Sequence, residues 1–425
     1  MHNAVLRLHG IPASIMPTRN RAGEAIQSEP FIRRYLVFLD QYKVLGIERM
    51  DGNGVWLNQT VTQQDQPSFE AIEYIPEDLE LKRVVTLAIR SIYALGFDFG
   101  VVAIGVHSQT RMSVLEVSQE INDKSKVAWK KGSLDMQREQ ASSHPHQVML
   151  GADPEFALRD ANLQMGIASR YLDKQGVIGH DAARLRGEGL QSQHPLVELR
   201  PDPSPNPREV FRHLLQAMRK GYKKIPANLE WIAGGMPFWG YPIGGHIHFS
   251  GVPLSFDLLH KLDSYLALPL TCIEDEGCKK RRPRYGFLGD FREQPYGGFE
   301  YRTLPSWLVS PEITQGVLAL AKLIASTYNQ LTQHPLQDIH MQRAYYQGDK
   351  SKLRPLIPKL WQELKSLAMY KDLQIELDAF YQTIQNTETW DHQRDIRIAW
   401  GLLSREKKSV SRYRNDTQQP YRTTV

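Results

Sequence analysis

Cysteine is almost absent. The 425 residues hold two, Cys272 and Cys278. Neither has a metal-ligand spacing or a disulfide framework around it, so thiols in a reducing compartment are the expectation. No apolar run approaches the length of a membrane span, and the first residues lack the apolar stretch of a secretory signal, so the expected location is cytoplasmic. Charge of one sign is also scarce: 52 basic against 47 acidic residues leave +5, too little to indicate nucleic acid as a partner. There is no glycine-rich phosphate loop ending in Gly-Lys-Ser/Thr and no protein-kinase signature. A nucleotide would therefore have to be held by strands and metal, not by a helix N-terminus. Internal repeats and low-complexity tracts are missing too.

The remaining composition is that of a globular chain, 41% hydrophobic and 23% charged, long enough for two or three domains with a sizeable core. Residues 1–30 read as loop-rich, with Pro12, Pro17 and Pro30. Residues 31–58 suggest a hairpin turning near Tyr42-Lys43. Apolar residues at helical spacing from Leu81 to Leu95 predict a helix over 77–95. Two strands, FGVVAIGVH and MSVLEVSQ, follow. A polar stretch over 122–147 is the expected linker, with a boundary near 145. Beyond it, Asn206 and Pro207 open a helix to about 224, Ser255 opens another, and Pro311 opens a strongly apolar third. Residues 335–404 read as mostly helical. Basic clusters occupy 279–284, KKRRPR, and the tail at 405–414.

Four short segments stand out: Asp153-Pro154-Glu155, Glu198-Leu199-Arg200, His246-Ile247-His248 and Glu300-Tyr301-Arg302. Each sets two charged or imidazole side chains around one other residue, in a stretch that reads as extended. Residues two apart on a strand share a face. One such pair is ordinary on the wet side of a strand. Four on one sheet would line a single concave surface with carboxylates, imidazoles and guanidiniums, too much charge for a core. Gly244, Gly245, Gly297 and Gly298 lie among them and would let a ligand approach the backbone. Oxygen-rich donors with few imidazoles suit magnesium or manganese, which Asp153, Glu155, Glu198 and Glu300 could supply. Arg200, Arg284, Arg292 and Arg302 could neutralise charge on a transferred phosphoryl group. Glu300 reads here as a surface carboxylate, whose replacement by Ala would abolish activity and spare the fold.

The elements GADPEF (151–156), VELRPDPS (197–204), GGHIHFS (244–250), RYGFLGDFR (284–292) and FEYRTLPS (299–306), in this order, resemble the carboxylate–amine ligases of the glutamine synthetase and glutamate–cysteine ligase superfamily. The similarity is to the phage-associated COOH-NH2 ligase type 2 group, or amidoligases, over about 149–330. It implies a cytoplasmic ATP-dependent ligase that activates a carboxylate as an acyl phosphate and joins it to an amine. ATP with Mg2+ (or Mn2+) is the implied cofactor set. By position, Glu155, Glu198, His246, Glu300 and Asp153 would hold metal. His248, Ser250 and Arg200 would contact nucleotide. Arg302, Arg284 and Arg292 would act on the transferring phosphate, and Arg281 and Arg282 would bind substrate. The first strand departs from the Glu-x-Glu of glutamine synthetase, and Asp181, Glu188 and Asp202 compete for a second acidic position, which leaves the number of metals open.

Residues 95–121 are similar to the last strands of an ATP-grasp ligase, and RRYLVFLDQYKVLGIERM to an earlier hairpin of it. Glu116 matches a metal-ligand position, but Ala103 and Ser118 stand where an Asp and an Asn are expected, so a degenerate, structural module is implied. The expected fold is α+β: a curved antiparallel sheet of glutamine synthetase-like type with outer helices, plus a small N-terminal ATP-grasp-like α/β unit. The expected division is 1–125, a linker at 126–147, a ligase domain at 148–405 and a basic tail at 406–425. Expected partners are small-molecule or peptide carboxylates and amines, with no nucleic acid and no membrane. Two competing readings are a metal-dependent hydrolase using His246, His248 and Glu300 around zinc, and a non-catalytic nucleotide-binding module. Which carboxylate, which amine and which oligomeric state are not legible.

Overall fold

The computed structural model describes residues 2–14, 31–51, 69–109, 111–120, 147–186 and 192–403. The expected linker up to residue 146, the basic tail and the GVWLNQ end of the first hairpin lie outside these residues.

Two antiparallel sheets dominate the fold. The first has five strands in the order β3-β2-β1-β4-β5, made of β1 (Arg33–Asp40), β2 (Lys43–Asp51), β3 (Glu70–Ile72), β4 (Phe99–Val106) and β5 (Met112–Ser118). Its hairpin turns at Gln41-Tyr42, one residue before the expected place. Helix α2 (Leu79–Ala94) covers one face, and the Asp78 carboxylate caps it by accepting from the amides of Glu80 and Leu81. Residues 2–8 differ from the loop expected there. They form helix α1 (His2–Leu8), whose Val5 and Leu6 are buried. A helix this short has no stability of its own and depends on that packing.

The second sheet has β6 (Met149–Arg159), β7 (Ile178–His180), β8 (Leu196–Leu199), β10 (Gly245–Ser250), β11 (Phe291–Glu293) and β12 (Phe299–Tyr301) in the order β11-β12-β10-β6-β8-β7, while β9 (Glu230–Ile232) pairs the end of β6. Central strand β6 contains Pro154, which donates no ladder bond. The Glu155 amide donates to Gly244 on the β10 side, so the missing Pro154 donor points to the β8 side. There the ladder begins only at Glu155, and no bond is lost.

Helices pack behind this sheet, as the sequence pattern predicted. Helix α3 (Pro207–Lys224) starts at the Asn206 cap and lies on β6 and β7. Helix α4 runs Phe256–Leu262 from the Ser255 cap and continues through a π-helical turn, Asp263–Ala267, to Thr271. A short helix, α5 (Glu276–Arg281), carries part of the basic cluster. Helix α6 (Pro311–Thr327) is the centre of the helical layer, its Val317, Leu320 and Leu323 fully buried between α3 and a later helix at Gln374–Gln385. Helix α7 (Ile339–Gln347) meets α1. The result is α+β with antiparallel sheets and outer helices. One contiguous apolar core contains Val37, Ile92 and Val102 from the first sheet and its helix together with Phe156, Ile247 and Leu320 from the second layer.

Candidate active site

Register converts the four sequence pairs into one surface. Asp153 on β6 lies opposite His246 on β10, and Glu155 lies opposite Glu198 on β8. His248 lies opposite Glu300 on β12, which lies in turn opposite Arg292 on β11. Directly paired residues share a face, so all these side chains point the same way. Asp290-Phe291-Arg292 is a fifth pair of the same form, with Asp290 at the cavity wall. Its two-residue spacing is the signal that could have found it.

His246 is the centre of the cluster. Its Nδ1 is 3.2 Å from Asp153 Oδ1 and 3.1 Å from Glu300 Oε1. Burial works against a charged imidazole, but the two carboxylates outweigh it and raise the His246 pKa to about 10. Burial also acts on Asp153, where His246 and His248 overcome it and hold the carboxyl below the usual range. Glu155 and Glu198 have less compensation. Burial, with neighbouring acids adding to it, pushes them up to about 7 and about 8. Glu198 is paired with Arg200, and Glu155 accepts from the Gly244 amide at 2.8 Å. Both glutamates therefore hold their protons more tightly than a free carboxyl does, unless a cation takes the proton's place.

Glu300 is not the surface carboxylate expected; it is 1% exposed. It accepts from Gln294 Nε2 at 2.9 Å and lies 3.0 Å from Arg302 Nε and 3.4 Å from Arg292 Nη1. Tertiary layering buries it, which a strand pattern cannot reveal. Gly244 serves a different purpose from the one expected. A methyl group on Gly244 would lie 2.2 Å from His246 Nε2, so this glycine makes room for the imidazole and not for a ligand. Gly286, at φ 65°, makes room for the Arg281 guanidinium in the same way.

The donor set fits a hard divalent cation. Ligand atoms of Asp153, His248 and Glu300 lie within 4.8 Å of one another. Asp153 Oδ1 and His248 Nε2 are buried without an aligned hydrogen bond, although His248 Nε2 is 3.2 Å from Asp153 Oδ2. Two oxygens and one nitrogen suit magnesium or manganese better than a soft metal. His248, expected at the nucleotide, is in this group, while His246 is held between its two carboxylates.

Two cavities meet at this wall and share Asp153, Glu198, Arg292 and Glu300. One, of about 480 Å3, has an apolar side that includes Pro201, Pro203 and Tyr296, with Ser250 and Arg200 also lining it. The other, of about 530 Å3, is polar and includes Asp181, Arg184, Arg186, Arg281, Asp290 and Arg302. Arg184 and Arg186 were not anticipated, because their loop carries no period. Arg186 lies over the Tyr241 ring, 5.6 Å from its centroid.

Some expected residues are elsewhere. Arg282 is buried in an ion pair with Glu274, below the Tyr345 ring, and is not a substrate ligand. Its neighbour Arg281 reaches the cavity but spends its Nη atoms on the carbonyls of Thr303 and Arg302, so it fixes the backbone beside the site. Arg284 is exposed over Tyr285 and lines neither cavity. Of the three competing acids, Asp181 lines the polar cavity, Asp202 is exposed outside both, and Glu188 lies outside the described residues. On the first sheet, Ala103, Glu116 and Ser118 line a separate hollow of about 350 Å3.

The model of a family described as Phage phiEco32-like COOH.NH2 ligase-type 2 matches residues 150–402. No curated protein matches. Among solved structures, the chain is similar to a bifunctional glutathione synthetase from Pasteurella multocida, with 9% identity, a TM-score of 0.38, and coverage of 63% of this chain and 53% of that one. It is also similar to the ATP-grasp ligase PsnB, in a structure complexed with minimal precursor, with 16% identity, a TM-score of 0.18, and coverage of 23% of this chain and 29% of that one. The chain therefore spans about half the length of the first and under a third of the second. No helix among the described residues is long and apolar enough to cross a membrane. The family match takes in more than half of the chain and all four charged strand segments, so the chain belongs to the phage phiEco32-like COOH.NH2 ligase type 2 family.

Proposed function

We propose that this protein is an ATP-dependent carboxylate–amine ligase that forms an amide or peptide bond through an acyl phosphate. The observation that carries the reading is the pair of cavities joined at one acidic wall, one part apolar and one lined by arginines. A ligation of this kind needs a nucleotide site and an acid site that share the γ-phosphate. A purine suits the apolar side beside Pro203 and Tyr296, with His248, Ser250 and Arg200 toward the sugar and phosphates.

In this reading Asp153, Glu155, Glu198, His248 and Glu300 would hold Mg2+ or Mn2+, with His246 fixing Asp153 and Glu300. The cation would offset phosphate charge against the acidic wall. A carboxylate oxygen of the substrate, in the polar cavity, attacks the γ-phosphorus as the bond to ADP breaks. Arg302 and Arg292, beside Glu300, face the oxygens that gain charge. The amine nitrogen then attacks the acyl carbon, phosphate leaves with its electron pair, and the amine loses a proton.

Phosphate release from Mg-ATP, measured with pooled amino acids and small peptides and followed by mass spectrometry, tests this. Release that needs both a carboxylate and an amine, with a condensed product, is expected. Release with neither, or no nucleotide binding at all, would overturn it.

A further inference from the structure

The residue between Glu300 and Arg302 points away from the site, and its partner connects the site to the first sheet. Tyr301 Oη donates to Asp263 Oδ1 at 2.7 Å. The other oxygen of that carboxylate accepts from Tyr93 Oη, also at 2.7 Å, and Tyr93 belongs to α2. A third donor is the Gly289 amide, 3.2 Å from Asp263 Oδ1. All three side chains are buried, and Asp263 begins the π-helical turn of α4. A widened turn of this type inside a helix is uncommon and frequent at functional positions.

These contacts meet on the segment that carries site residues. Gly289 precedes Asp290, whose carbonyl accepts from the Arg302 amide at 2.8 Å and whose amide donates to Thr303 Oγ1 at 3.2 Å. Gly289 has φ 70°, and a methyl group there would lie 2.2 Å from the Tyr93 ring, so Tyr93 is seated directly on this loop. Two further contacts from the first unit reach the same segment. Arg90 of α2 stacks over Phe287 at 3.9 Å, and Tyr42 packs edge-on against Phe291 at 5.8 Å.

We propose that Asp263 is a positioning residue that clamps β12 and the Gly289–Arg292 segment to α2 through Tyr301, Gly289 and Tyr93. The N-terminal unit thereby sets the placement of Glu300, Arg302 and Arg292. It acts as a buttress of the site. The catalytic consequence rests on the ligase reading; the mechanical one does not.

The test uses the full chain and two measurements. Tyr93→Phe removes one hydroxyl and keeps the ring, and Asp263→Asn removes the charge that accepts three donors. Hydrogen–deuterium exchange is read on peptides covering 287–303 and, as a control, on the α6 peptide 311–327. Exchange about tenfold faster over 287–303 with the control unchanged is expected, because local opening is governed by the contacts of that segment. Mg-ATP turnover in the same variants is expected to fall about tenfold in kcat with the ATP KM within about twofold, because the apolar nucleotide wall is untouched. Unchanged exchange over 287–303, or a rise shared equally with 311–327, overturns the clamp. Localised exchange with unchanged kcat overturns its role in positioning the reacting groups. If Asp263→Asn does not fold, Tyr93→Phe and Tyr301→Phe decide alone. Absence of turnover in the unaltered protein would count against the ligase reading, and the exchange comparison would still decide the clamp.

Discussion

Glu155 and Glu198 stand directly opposite each other across the β6–β8 ladder, one buried and one half-buried carboxylate on one face of the sheet. Like charges so placed are destabilising unless a cation or a proton comes between them. Burial, with neighbouring acids, raises their pKa values to about 7 and about 8. His246 is raised to about 10 against burial by Asp153, and Asp263 is raised to about 7 by burial. A folded state whose groups titrate above their unfolded values loses stability as pH rises through the folded pKa. His9 and His260, depressed by burial to about 4 and about 3, act in the opposite direction but only below their ordinary 6.5. With a chelator present, the melting temperature should therefore fall between pH 6.5 and pH 8. Mn2+ should restore it most at the upper end, where it competes with fewest protons. A melting temperature that is flat over this interval, and insensitive to Mn2+ at pH 8, would remove the cation site.

Glu300 and Arg302 separate two kinds of loss. Glu300→Gln keeps the shape and one acceptor but removes the charge that faces His246, Arg302 and Arg292. ATP turnover should drop by a factor on the order of 100 or more. Because Glu300 is buried, its replacement by Ala should also lower stability, by about 1–3 kcal/mol. Urea melts and initial rates on the same preparations would reveal a Glu300→Ala that is inactive yet fully stable, contrary to this expectation.

Arg302→Lys keeps the charge and loses the planar fork. A steep fall in kcat with little change in melting temperature is expected, because lysine cannot present two parallel donors to phosphate oxygens. Near-normal turnover would reduce Arg302 to a structural partner of Glu300.

Arg282 supplies the contrasting case. It and Glu274 form a buried pair beneath Tyr345, so removing one partner leaves an uncompensated charge in the core. Arg282→Ala should destabilise by roughly 3–5 kcal/mol, while Arg284→Ala, exposed and outside both cavities, should be close to neutral. Denaturant unfolding of the two variants decides this. Equal effects would contradict the burial assigned here.

Gly244→Ala tests the space beside the central imidazole. The added methyl must displace His246, since it would otherwise lie 2.2 Å from its ring nitrogen. Weakened Mn2+ binding, read by titration calorimetry, is expected together with loss of turnover. Unaltered affinity would mean that His246 does not hold Asp153 and Glu300 in place for the cation.

The strand pairs, the helix caps and the family resemblance were legible because they are local. Two-residue spacing puts Asp153 and Glu155, or His246 and His248, on one face whatever surrounds them, and Asn206-Pro207 or Ser255 starts a helix by satisfying one of its first amides. Only the tertiary structure decided the rest. It set the register that faces Glu155 to Glu198, and it buried Glu300 beneath the arginines. It turned Arg282 into the core and Arg281 toward the site, although they are neighbours in one basic cluster. It also brought Tyr93 of the first unit to Asp263 and Tyr301, 170 and 208 positions further along the chain. Period and propensity act over a few residues, whereas burial and ion pairing depend on which distant surfaces meet.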